Sequence, residues 1–348
     1  MKKLLGILAL TLAASALASA ANAREQDYFE SINWNTEYRM DYQDVDNGIG
    51  NEGFKSENSK ENVLRNTLSG TLNLQDEWGL KADFSILSKT YDKESFVDSD
   101  GKESFVDSDA QGWETDLNVR KSIKLGNYDT DFTLIEWKRW EKEGQETNEL
   151  LVGPKFSINV LGQNVSVTTK AVYYKEMAGS KEASYYVGGT EGYGANVDFG
   201  FGGNIYQGDY GTLSYAVSLA NHWRNATGEN DYKNNWELDY ETTVDYKTPS
   251  FLGGFYAGTE LYNEWIRHTA SAENGLAGFK YTNEFNVTPY LGYKTSFSTP
   301  IGEVAVNPYV KYRALQRLTT ENGESDNDRV TEETNRFTAG VSLGLNLD

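Results

Sequence analysis

The segment Ile32-Asn33-Trp34-Asn35-Thr36-Glu37-Tyr38-Arg39-Met40-Asp41-Tyr42-Gln43 decides the fold. Its large apolar side chains stand at even positions and its amides and charges at odd ones. A repeat of two belongs to a strand with one apolar and one polar face, whereas an amphipathic helix repeats at 3.6 residues. The pattern returns at 63–75, where Leu64, Leu68, Leu72 and Leu74 alternate with Arg65, Thr67, Ser69 and Thr71. At 80–91, Leu80, Ala82, Phe84 and Ile86 alternate with Lys81, Asp83 and Ser85. Further segments follow at 113–125, 131–140, 150–160, 165–175, 195–206, 212–223, 236–246, 254–266, 280–295, 303–315 and 335–347, fourteen in all. The poorest is 131–140, because Ile135 and Trp137 break phase with Phe132 and Leu134. A β-bulge or a misplaced boundary explains such a break.

The connections alternate too. Short turns fall at Asp76-Glu77-Trp78-Gly79, Gly126-Asn127, Gly162-Gln163-Asn164, Gln207-Gly208-Asp209, Lys247-Thr248-Pro249 and Ser298-Thr299-Pro300. Long polar stretches fall between them at 44–61, 92–111, 176–194, 267–279 and 316–334, with 141–147 the exception. Tight turns at one end and long loops at the other mark an outer-membrane barrel, turns periplasmic and loops outside.

A soluble β-sandwich alternates as well, so the choice rests on three further features. The segments run to ten residues or more, which suits a tilted crossing of a bilayer. Both ends of the chain after residue 23 fall in strands, so an even number can close without an edge. Trp34, Tyr42, Trp113, Trp223, Trp236, Tyr246, Trp265, Tyr281 and Tyr293 gather near segment ends, as interfacial girdles do. The expected fold is all-β: a closed antiparallel transmembrane β-barrel of fourteen strands.

The N-terminus reads as an export signal over 1–23. Lys2 and Lys3 precede an apolar run from Leu4 to Ala18, and Ala21-Asn22-Ala23 is a small-x-small cleavage site, with Ala18-Ser19-Ala20 a second of the same kind. The barrel domain is then 24–348. Mean hydropathy is −0.62 and no long apolar run follows the signal, which leaves strands as the only means of crossing. The net charge of −20 repels phosphate backbones, so nucleic acid is not an expected partner. With no cysteine, thiol chemistry and cysteine-ligated zinc are excluded.

Three features sit beside this frame. Pro154, Pro289 and Pro308 lie inside strand segments on the apolar parity and predict local bulges. The octapeptide Lys93 to Asp100 recurs unchanged at Lys102 to Asp109, which reads as a tandem duplication in a tolerant exposed loop. Its acidic residues Asp98, Asp100, Asp107 and Asp109 partly resemble a calcium loop but lack the glycine and terminal glutamate of one. Enzyme motifs are missing: there is no G-x-x-x-x-G-K, no H-E-x-x-H and no G-x-S-x-G. The two histidines, His222 and His268, lack the serine two residues on that an outer-membrane phospholipase carries, so no enzyme, cofactor or metal is expected.

What remains is the polar parity, which faces the interior. Arg39, Arg65, Lys311, Arg313 and Arg336 fall in the outer half of neighbouring strands, diluted by Glu37 and Asp41. Glu237, Asp239, Glu241, Asp245, Glu260 and Glu264 fall on two others a quarter-turn or more away. Opposed rows of charge set a transverse field across a lumen and select ions.

The signal, the fourteen segments and the final stretch Thr338 to Leu347, with Gly340, Leu343 and Leu345, resemble porins of the OmpG, KdgM and FomA kind. The chain departs from them in ending on Asp348 rather than an aromatic residue. The resemblance implies an outer-membrane channel for passive diffusion of ions and small hydrophilic solutes. Its partners would be outer-membrane lipids and the barrel assembly machinery, with monomer and trimer both open. The alternatives are an oligosaccharide-selective channel and a non-conducting adhesin or structural barrel. The histidine pair that gates the OmpG type is not carried over, because His222 and His268 stand two strands apart.

Overall fold

The computed structural model describes residues 29–47, 57–75, 78–91, 94–97, 103–106, 111–125, 128–142, 145–177, 191–227, 235–270, 278–299, 302–321 and 329–346. The export signal, the cleavage sites, Leu347, Asp348 and the four loop aspartates lie outside them. The strands are β1 (Phe29–Asn47), β2 (Glu57–Gln75), β3 (Leu80–Tyr91), β4 (Glu94–Val97), β5 (Glu103–Val106), β6 (Gln111–Leu125), β7 (Tyr128–Lys142), β8 (Gln145–Val160) and β9 (Gln163–Met177). They continue with β10 (Glu191–Gly208), β11 (Gly211–Ala226), β12 (Asn235–Lys247), β13 (Phe255–Ala270), β14 (Gly278–Tyr293), β15 (Thr295–Thr299), β16 (Gly302–Glu321) and β17 (Arg329–Asn346).

Fourteen strands make the wall, since β4 and β5 form a separate short hairpin and β15 continues β14 past Lys294. Each pairs antiparallel with its neighbours, and β1 pairs with β17 from Ser31↔Asn346 to Asn47↔Val330. The sheet therefore closes and leaves no edge. This is the closed antiparallel barrel that the alternation predicts.

The alternation maps onto the two faces. Tyr38, Met40 and Tyr42 are exposed on the outside of β1, while Glu37, Arg39 and Asp41 are half-buried on the inside. Leu64, Leu117, Leu150, Phe199, Leu261, Phe285 and Phe337 repeat the outward exposure round the wall. An apolar outer face over a charged inner face suits hydrocarbon outside and water within. Aromatic residues stack toward both rims. Trp223 meets Tyr193 and Trp236 toward the loop end, and Phe255 meets Phe251 and Tyr293 toward the turn end.

The strands outrun the alternation at the loop end. The stretch 44–61 shrinks to the connection 48–56, 267–279 to 271–277, and 316–334 to 322–328. A ribbon standing clear of the bilayer meets water on both faces, so no apolar parity marks it. The exceptional connection at 141–147 shrinks to two residues between Lys142 and Gln145.

The phase break at Ile135 is a bulge. Thr133 faces Gly153 and Glu136 faces Leu151, so β7 spends one residue more than β8 over that step. Leu134 and Ile135 both turn outward and are nearly half exposed, and the inner parity switches from odd to even. The prolines do not bulge as predicted. Pro289 pairs with Thr259 but has no partner on β16, and Pro308 pairs with Val341 but has none on β14. Pro154 pairs with Phe132 and is skipped by β9. In an antiparallel sheet a residue's N–H serves only one neighbour, so the ladder drops a rung and keeps its register.

The duplicated octapeptide is not a plain loop either. Its two Glu-Ser-Phe-Val cores are β4 and β5, paired Glu94↔Val106 to Val97↔Glu103, with β4 set beside the start of β2. A short β-competent sequence, repeated after a turn, supplies its own antiparallel partner.

Candidate functional site

The ten singled-out residues stand on wall strands, at positions that alternate with the exposed apolar row. Arg39 and Arg65 both lie against Glu37, Arg65 at 3.4 Å. Arg336 holds Asp41 through two guanidinium nitrogens, its Nε donating at 2.5 Å. Arg313 reaches Glu284 at 3.7 Å, and the Lys311 ammonium lies 5.2 Å from the centre of the Tyr309 ring. The basic row is thus largely neutralised in place.

On the acidic row, carboxylates stand opposite carboxylates. Asp245 stands directly opposite Glu260, and Glu241 opposite Glu264, which in turn stands opposite Glu284 on β14. Carboxylate oxygens of Asp239, Glu241 and Glu264 come within 4.8 Å of one another. Like charges facing across a strand pair are destabilising. Glu237 is the exception: it takes His222 Nδ1 at 3.3 Å, and His222 Nε2 also meets Asp198 at 3.1 Å. Tyrosines line the turn end of this side. Tyr290 and Tyr256 lie across Gly258 and Gly292, where a Cβ would meet ring atoms at 2.3 Å. Their hydroxyls donate to Asp245 and Asn307, both at 2.8 Å.

Parity alone did not bring out a second charged group, on β6 to β11. Glu136 is held by Lys138 at 2.9 Å and also by Lys170. The bulge hides this trio, since odd parity read through 131–140 places Glu136 and Lys138 outside. Beside it Arg224 donates to Asn196 at 2.7 Å and to Glu149 at 3.1 Å, both side chains of the ion pair 2% exposed. Gly194 makes room, because a Cβ there would sit 2.9 Å from Arg224 Cδ.

The inner face is also less uniformly polar than the alternation predicts. Val63, Leu87, Leu151, Val172 and Leu315 are inward and buried. Two half-open cavities with charged walls lie among the described residues. One of about 460 Å³ lies between β3 and β9, with Asp83, Asp116, Arg120, Glu136, Lys155 and Lys170 on its walls. Another of about 250 Å³ lies between β7 and β12, and Lys170 borders both.

Fold and inner face define a closed membrane-type β-barrel with a densely charged interior. Among solved structures it is similar to OmpT of Vibrio cholerae, an outer membrane protein folded in vitro, at 10% identity over 93% of this chain and 99% of that one, TM-score 0.39. It is similar to an outer membrane channel from Pseudomonas putida F1, at 12% identity over 92% and 100%, TM-score 0.40. It is also similar to the outer membrane protein OpdK of Pseudomonas aeruginosa, at 10% identity over 90% and 100%, TM-score 0.34. No known family's sequence profile and no curated protein matches the chain. Likeness this distant carries no function from those proteins to this one.

Proposed function

We propose that the protein is a porin of the outer membrane, forming a water-filled channel for passive diffusion of ions and small hydrophilic solutes. One observation carries this reading: a closed barrel whose exposed outward row is apolar and whose opposite face carries clusters of charge. Eight strands suffice to fill a barrel with side chains and sixteen leave an aqueous channel, so fourteen fall nearer the channel limit. Export by the N-terminal signal and insertion by the assembly machinery accord with it. Lys311 and the four arginines would line one side of the pore, and Glu237, Asp239, Glu241, Glu260 and Glu264 another.

A second reading, a structural or adhesive barrel that does not conduct, is favoured by the packing around Arg224, Glu149, Tyr174 and Leu151, each at most 2% exposed. The two readings part in a planar bilayer. A porin gives discrete, lasting single-channel steps when the folded barrel is added; a structural barrel inserts silently.

A further inference from the structure

The cavity between β7 and β12 is lined by opposite charges at its two sides. On one side stand Lys138 and Lys170, whose ammonium groups both hold Glu136, with Asp116 and Glu149 opposite Lys138 across the neighbouring strand pairs. On the other stand Asp239 and Glu241, for which the described residues offer no lysine or arginine partner. Glu241 accepts a hydrogen bond from the Tyr262 hydroxyl at 3.0 Å, and Asp239 has an enclosed oxygen with no hydrogen-bond partner. Between the two sides, next to Asn196 and the His222–Asp198 pair, the inner face carries small residues: Ala220 and Ser218 of β11 stand opposite Asp239 and Glu241, and Gly200 of β10 stands opposite Ser218. Small residues in that strip leave the space that the long charged side chains border.

We propose that this cavity binds a small zwitterionic solute, its carboxylate at Lys138 and Lys170 and its ammonium group at Asp239 and Glu241. The proposal rests on the open-lumen reading above and names a solute class for it. Ammonium groups at one side and carboxylates at the other leave any singly charged solute half matched. A cation answers the carboxylates and faces the lysines; an anion does the reverse. A dipolar solute answers both with charge-assisted hydrogen bonds, the stronger kind. About 250 Å³ is room for a molecule the size of an amino acid.

The test uses three probes of equal length, 5-aminovalerate, pentylammonium and pentanoate. Each is titrated calorimetrically into the folded barrel in detergent and added to single channels in a bilayer. The expected result is 5-aminovalerate binding about tenfold or more tighter than either singly charged probe. The variant Asp239→Asn with Glu241→Gln should erase its advantage over pentanoate, and Lys138→Gln should reduce its advantage over pentylammonium. Pentylammonium binding as tightly as 5-aminovalerate would overturn the proposal in favour of a simple cation site. Equal, negligible binding of all three by a conducting barrel would overturn it while leaving the porin reading intact. Selective 5-aminovalerate binding by a barrel that does not conduct would uphold the site and end the porin reading.

Discussion

On β1, β2, β16 and β17 the arginines Arg39, Arg65, Arg313 and Arg336 each lie beside a carboxylate: Arg39 and Arg65 at Glu37, Arg336 at Asp41, Arg313 at Glu284. On β12 and β13 the carboxylates lie beside carboxylates, Asp245 facing Glu260 and Glu241 facing Glu264. Both walls come from the same alternation, and both are inner faces of antiparallel pairs. They differ only in which charge the register sets opposite which. Paired charges hold neighbouring strands together and contribute little net field. Like charges set opposite one another cost stability and project a field, so they are tolerated where the field is used.

Removing one partner from the most buried pair should have the largest effect. Glu149→Ala strands Arg224, 2% exposed, with Asn196 as its remaining side-chain partner. A loss of about 3–5 kcal/mol is expected in urea unfolding from lipid vesicles. A loss under about 1 kcal/mol would show that water reaches Arg224 and that this side of the lumen is not packed.

Next comes charge reversal on the paired wall. Arg65→Glu with Arg336→Glu turns two neutralised pairs into carboxylates beside Glu37 and Asp41, giving the basic wall the character of the acidic one. Reversal potentials in a salt gradient should move toward cations, at a cost of about 1 kcal/mol for each opposed like pair. An unchanged ion ratio would place both side chains away from the conducting path.

The turn end offers a smaller effect. Leu161 and Leu252 have φ of 54° and 45°, a left-handed backbone that suits glycine, and are 96% and 84% exposed. Leu161→Gly should raise stability by a few tenths to about 1 kcal/mol, since it relieves strain without losing burial. A clear destabilisation would show that the leucine side chain contacts lipid or a partner at that rim.

Smallest of all should be deletion of residues 93–101, which removes β4 and leaves β5 without its partner. Conductance should hold within experimental error and unfolding within about 0.5 kcal/mol, the range of changes on exposed surface. A large conductance change would move the constriction to this hairpin and require the lining to be redrawn.

How much of this was legible follows the solvent. Where a strand has hydrocarbon on one side, as at Trp34, Tyr38 and Tyr42, the period of two is plain, and all fourteen wall strands could be read. Where the strands run on past it, as at 57–62 or 316–321, no apolar alternation marks them and they were read as loop. Parity assigns the charged residues to one face of each strand, but it does not give their pairings. Whether Arg336 meets Asp41 or stands alone depends on the register between β1 and β17, joined across the whole length of the chain. The Glu136 trio was hidden for a local reason, one extra residue at the bulge that reversed the parity of everything after it.

The most direct test of the central claim is the reversal potential of single channels under a tenfold salt gradient. It is measured for the unmodified barrel and for Asp239→Asn, Glu241→Gln and Glu264→Gln combined. The unmodified barrel should conduct with cations preferred, and the triple variant, as stable or more so, should lose most of that preference. A barrel that conducts with the same reversal potential in both forms would show that the β12–β13 carboxylates do not face the conducting path. One that inserts and never conducts would contradict the channel itself.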